Sequence, residues 1–229
     1  MRRQFAVIGL GNFGSQLALE LARRGAEVLA IDGDAGKLDA VKDEVAHTVR
    51  LDATDKEALA EQRLAELDAV VVSFGEDFEA AVLTTILLRE TGVRRIIVRA
   101  VSERHERILQ MLGVNEVVLP ISEAVTRLST TLMLTGVVDS FALSRDDTIA
   151  ELAAPESVVD RTVGEVRFRE QYGLLLVTIR RVVKVPQLFG LLDRTEERIL
   201  GVLPPEARIE RGDTLIVFGP KKAIEKLAG

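Results

Sequence analysis

The chain has 229 residues, 47% of them hydrophobic, a formal net charge of −6, and neither cysteine nor tryptophan. That length suits one large domain or a medium one with a small companion, and the apolar content supports a packed core and excludes disorder. No disulfide framework, thiolate metal site or cysteine nucleophile is possible, and the acidic balance with only 4% aromatics argues against a nucleic-acid partner, which needs neutralised phosphates and stacking platforms.

The opening Met1-Arg2-Arg3-Gln4 leads straight into a strand pattern, Gln4 to Gly9, with no apolar signal segment. Phe13 to Arg24 has apolar residues at helical spacing, and Glu27 to Asp32 reads as the next strand. Lys37 to Glu44 is expected as a helix and His47 to Leu51 as a strand. Asp55 is a candidate cap for a helix over Lys56 to Leu64. Ala69 to Ser73 is a near-continuous apolar run, as in a strand buried on both faces. Glu79 to Glu90 (helix), Arg95 to Arg99 (strand), Glu103 to Leu112 (helix) and Glu116 to Leu119 (strand) complete the series. Such alternation implies an α/β fold, a Rossmann-like doubly wound parallel sheet. After Pro120 the pattern changes. A long helix, Glu123 to Leu134, precedes strand-like runs at Thr148 to Leu152, Leu174 to Ile179 and Thr214 to Phe218, and a short helix, Lys221 to Leu227. The expected organisation is a nucleotide-binding domain over 1–120, a crossover helix and linker over 121–138, and a small α+β C-terminal domain over 139–229. No apolar stretch reaches the ~20 residues of a membrane span, so a soluble, cytoplasmic protein is expected.

The chemistry concentrates in Gly9-Leu10-Gly11-Asn12-Phe13-Gly14. A glycine triplet of this spacing is weak evidence alone, but here it follows a strand, opens a helix, and is followed by a second strand ending in Asp32. Gly9 allows the tight turn, Gly11 lets a phosphate approach the backbone, and Gly14 lets helix and strand pack closely. The helix N-terminus offers free N–H groups to phosphate. Asp32 can accept both ribose hydroxyls, and its charge disfavours a 2′-phosphate; Gly33 and Asp34 follow it at the same edge. Asp52-Ala53-Thr54 ends the third strand and either borders an adenine or caps a helix. Ser73-Phe74-Gly75 ends the fourth strand at the same edge. Arg99 ends the fifth, either meeting phosphate or standing solvated. An oxidoreductase would need a proton donor or acceptor beside its nicotinamide. Of the two histidines, His47 begins a strand at the opposite edge, and His105 lies in a charged stretch where it is expected to be solvated. With no hydrolase triad, metal-ligand cluster or Walker loop, a non-enzymatic regulator fits better than a dehydrogenase or a bare scaffold.

The run Gln4 to Gly14 resembles the opening of the cytosolic regulators of bacterial potassium uptake of the Ktr/Trk type. So do Val28 to Asp32, Asp52-Ala53-Thr54 and Val82 to Leu88. Asp160 to Thr178 and Gly212 to Gly219 are similar to that family's small C-terminal domain. The resemblance covers essentially the whole chain. It implies a two-domain subunit regulating the conductance of potassium (RCK), forming dimers and an octameric ring beneath a membrane-embedded potassium channel or transporter. It also implies a ring shape that changes with bound ATP or ADP, or with NAD(H), and in some members cyclic di-AMP bound by the C-terminal domain. For that last ligand the resembling positions are Val158, Val159 and Arg169, which otherwise read as core residues and a surface charge. Two departures stand out. Asn12 occupies a position where Ktr members typically carry arginine, and Ile121 one where they tend to carry an acidic residue, with Glu123 shifted by two. The segment Val182 to Arg198 is longer than in the members it resembles, and reads as a packed hairpin or a contact surface.

Overall fold

A computed structural model describes residues 2–133, 136–144, 146–185 and 194–229. The chain divides into two compact units, Met1–Ser122 and Glu123–Gly229.

In the first unit the elements are β1 (Gln4–Ile8), α1 (Asn12–Arg23), β2 (Glu27–Asp32), α2 (Ala35–Asp39), β3 (His47–Arg50), α3 (Lys56–Ala60), β4 (Ala69–Val72), α4 (Phe78–Glu90), β5 (Ile96–Arg99), α5 (Glu103–Met111) and β6 (Glu116–Val118). The strands form one sheet in the order β3-β2-β1-β4-β5-β6, and every pairing is parallel. Successive side chains of a strand face opposite ways. Accordingly Ala6 and Ile8 of β1 join one apolar cluster, with Val70, Val72 and Leu88. Val7 joins another, with Ala18, Val28 and Leu38. The sheet is thus covered on both faces, and all four residues of β4 are buried, as expected of a central parallel strand. Asp55, Asp77 and Ser102 cap α3, α4 and α5 by accepting backbone N–H groups. The helix expected over Lys37 to Glu44 starts earlier and is shorter: Asp34 caps it by accepting from the Gly36 amide, and the helix ends at Asp39.

Next, α6 (Pro120–Met133) carries the chain across the boundary between the units. It starts three residues before the expected Glu123, because proline suits the first helical position, where no N–H is required. In the second unit, β7 (Val137–Ala142), β8 (Asp147–Ala153), α7 (Val163–Val166), β9 (Leu175–Val185), β10 (Arg194–Ile199), β11 (Thr214–Pro220) and α8 (Lys221–Ala228) follow. A single π turn, Phe168–Tyr172, lies between α7 and β9. The sheet order is β10-β9-β11-β8-β7, antiparallel throughout. One face of it packs Ala150, Leu152, Ile179, Leu215 and Val217 against Ile224 and Leu227 of α8. A charged lock ties β9 to the turn before β11. Arg181 donates to both oxygens of Asp213, at 2.7 and 2.8 Å, and to the Arg208 carbonyl at 2.9 Å, with Glu210 as a further partner. Asp213 is 1% exposed. The long segment Val182 to Arg198 forms two paired arms, Val182↔Glu197 within β9 and β10. Val182 and Ile199 are exposed, so the described arms stand out from the core instead of packing into it. The intervening residues 186–193 lie outside the described ones.

Candidate nucleotide site at the sheet's carboxyl edge

In the parallel sheet the chain runs β1, β2, β3 to one side and returns to place β4 on the other side of β1. The carboxyl end of β1 therefore sits at the switch point where helices depart to opposite faces, leaving a crevice. The glycine loop occupies that position. Gly9 has φ +90°, and a Cβ there would meet the Phe74 ring at 3.0 Å. A Cβ on Gly14 would lie 2.0 Å from the Gly9 carbonyl oxygen and 2.3 Å from Ser73 Oγ, so α1 approaches the loop as closely as backbone permits. Around Gly11 a Cβ would meet nothing within 4 Å, and this residue caps α1 without any side-chain hydrogen bond. The first turn of α1 thus presents uncapped amides to open space, the arrangement that attracts an anion. Asn12 is exposed beside it and Phe13 half-buried.

Asp32 is 8% exposed. Its Oδ2 accepts the Leu10 amide at 2.6 Å and the Lys37 ammonium at 3.4 Å, and its Oδ1 accepts the Asp34 amide at 2.9 Å. A carboxylate has about four acceptor positions, and two are held by fixed backbone. Asp32 therefore shapes the loop as well as facing the crevice, and it can offer two positions to a ribose only when the exposed Lys37 swings aside. Gly33 lends its carbonyl to Arg50 Nε at 3.0 Å, and Asp34 is occupied capping α2. Asp52 accepts the Thr54 hydroxyl at 2.7 Å and the Thr54 amide at 2.9 Å. These bonds hold its carboxyl below the usual carboxylate range, the hydroxyl contributing most. Between them Ala53 is buried.

On the other side of β1, Ser73 is 1% exposed and donates to the Gly9 carbonyl at 2.5 Å. Its hydroxyl braces the loop. Phe74 lies against Gly9, and Gly75 stands beside Arg99. The Arg99 guanidinium lies 5.6 Å from the centre of the Phe13 ring. Its Nε is the one buried side-chain nitrogen or oxygen without a hydrogen-bond partner among the described residues. A desolvated donor on a cation is costly to leave unmet, and this one stands at the carboxyl edge next to the anion-attracting turn. His105, expected to be solvated, is instead half-buried and stacked on Phe78, with ring centroids 3.8 Å apart. Nothing in its charged surroundings signalled this; the signal was Phe78 at the start of the neighbouring helix. His47 is exposed. Among the described residues no three His, Cys, Asp or Glu side chains gather as a metal site, and no helix is long and apolar enough to cross a membrane.

In the second unit, Val158 is fully buried in the core and so lines no slot. Val159 is half-buried. Arg169, in the π turn, is exposed and borders a cavity of about 500 Å³ with Phe168, Leu174, Leu176 and Leu203. Of the three residues singled out for a second ligand, Arg169 alone lines this cavity. The structure gathers the fifteen of the glycine-loop set around the carboxyl edge.

Comparison with known proteins bears on the family and the fold. Residues 5–120 match the TrkA-N domain family and residues 148–228 the TrkA-C domain family. Ktr system potassium uptake protein C of Bacillus subtilis is 32% identical over 219 residues, covering 96% of this chain and 93% of that protein. Ktr system potassium uptake protein A of the same organism is 29% identical, covering 98% and 95%. The solved RCK domain of GsuK shares the fold, with a TM-score of 0.65 at 18% identity over all of this chain and 48% of its own. The NAD(P)-binding domain of an exopolyphosphatase-related protein from Archaeoglobus fulgidus, 28% identical with a TM-score of 0.51, covers 58% of this chain and 98% of that one.

Proposed function

The chain belongs to the family of TrkA-N and TrkA-C domain proteins to which the Ktr potassium uptake proteins belong, and from that premise we propose that it is a nucleotide-sensing cytosolic subunit that gates a membrane potassium channel or transporter. The observation that carries the nucleotide is the unmet Arg99 donor beside the uncapped turn of α1. Together they supply the fixed positive potential that a diphosphate requires. Asp32 takes the ribose, and residues 52–54 flank the adenine. ATP, ADP or AMP fits these three stations, with NAD(H) as the alternative. Asn12 leaves no arginine in that position to read a terminal phosphate. The subunit works as a dimer within a ring, octameric by analogy with the family, peripheral to the membrane through its partner. A ligand can bias the gate only by the difference in its affinity for two ring shapes. For the second unit, the arginine fork of Arg169 at its cavity suits a phosphate of cyclic di-AMP.

Calorimetry with ATP, ADP, NAD and NADH tests the crevice, with light scattering to follow the ring. Asp32→Ala should weaken every nucleotide that binds. Affinity unchanged in that variant, or steady turnover of NADH with a small substrate, would overturn the reading.

A further inference from the structure

The β3–α3 loop, Asp52 to Asp55, packs Ala53 into the core but has few hydrogen bonds to the rest of its unit. Asp52 is bonded within the loop, to Thr54, and Asp55 faces its own helix. Among the described residues, one side-chain hydrogen bond from a distant element reaches it. Thr84, in the middle of α4, is 0% exposed and donates its hydroxyl to the Ala53 carbonyl at 3.1 Å, across 31 residues of sequence. A threonine inside a helix ordinarily returns its hydroxyl to its own helix. The neighbouring Thr85 does this, donating to the Ala81 carbonyl at 2.6 Å. Thr84 spends its hydroxyl on another segment, at the one residue of the loop whose side chain is buried.

We propose that Thr84 is the positioning residue of the base end of the crevice: its hydroxyl fixes the height of residues 52–54, and with it the preference for a purine over a pyrimidine nucleotide. The proposal rests on the reading above that residues 52–54 flank the adenine. The glycine loop and Asp32 are held by separate bonds, from Ser73 and Leu10. Loss of the Thr84 hydroxyl therefore acts on the base and leaves the phosphate and ribose stations as they are.

The test compares ADP and UDP binding by calorimetry in the full chain. In Thr84→Val, which keeps the shape and removes the donor, ADP affinity is expected to fall about fivefold to tenfold, the effect of one hydrogen bond, while UDP is little changed. Thr84→Ser restores the wild-type ratio. Hydrogen exchange of the unliganded protein gives a second readout: the Thr54 and Asp55 amides exchange faster in Thr84→Val. If that variant does not fold, Thr84→Cys, with its weaker donor, is expected to lie below wild type and Thr84→Ser in ADP affinity and above them in the exchange rate of the Thr54 and Asp55 amides. A variant that melts earlier yet keeps the wild-type ADP-to-UDP ratio overturns the proposal, since the hydroxyl would then be structural only. Wild-type protein that binds neither nucleotide overturns the crevice reading, and this proposal with it.

Discussion

Arg181 in the second unit and Arg99 in the first are used in opposite ways, although exposed arginines of both units form surface ion pairs. In the second unit Arg180, Arg181 and Arg211 are each matched to carboxylates, Glu151, Asp213 and Glu156 respectively. Arg181 meets the most buried acid of the set with two parallel bonds. In the first unit Arg99 stands at the end of a central strand with its Nε desolvated and unmet. The difference separates two uses of one side chain. A planar donor fork closed on a carboxylate locks two strands together. The same fork left open at a crevice is a standing demand for an anion. Internal pairing marks architecture, and its absence in a desolvated place is what the proposed nucleotide site draws on.

Breaking each arginine should therefore fail in a different way. The largest effect is expected from Arg181→Ala. It strands Asp213 as an uncompensated buried charge, and the second unit should lose about 3–5 kcal/mol, read as a lowered melting transition, with nucleotide affinity unaltered. A loss below about 1 kcal/mol would show that the lock is only a surface pair. Arg99→Ala should do the converse. It removes a charge-assisted bond to phosphate, so affinity falls about tenfold to a hundredfold, while the melting temperature holds because no internal partner is abandoned. If stability drops and affinity does not, the contrast between the units collapses.

The smallest effect concerns acid. Asp52 is held below the usual carboxylate range chiefly by the Thr54 hydroxyl. A lowered folded-state value gives a contribution that is present above the unfolded value and is lost as pH falls through the lowered one. Thr54→Val should move the acid unfolding of the first unit slightly to higher pH, seen by circular dichroism. Asp52 is exposed, so a large displacement would mean that the loop bears more of the fold than its contacts indicate.

How much of this could be read from sequence follows from what each segment spends its residues on. The glycine loop, Asp32 and the alternating elements of the first unit were legible because each obeys a local rule: glycine where φ is positive, and continuous apolar runs where a strand is buried on both faces. β7 was not legible. Its pairing shifts between Val137 and Asp139, so the two-residue alternation that announces a strand is interrupted. β10 has no apolar face to detect. Thr84 reads as filler within an apolar helix, because a sequence does not show whether a hydroxyl returns to its own helix or crosses to another segment. Val158 has the opposite history. Its resemblance to a ligand-binding position was visible, while its place in the core depends on long-range packing.

β10 has a consequence beyond the site. An open antiparallel sheet ends in a rim of unpaired amides and carbonyls, a template on which a foreign strand can add. This rim is made of Arg194-Thr195-Glu196-Glu197-Arg198-Ile199, and its charges face solvent at Glu196, Glu197 and Arg198. A strand joining there would have to bring those charges out of water or match them one by one. The poverty of β10 in apolar residues is thus what keeps this rim of the sheet from pairing with the strand of another copy.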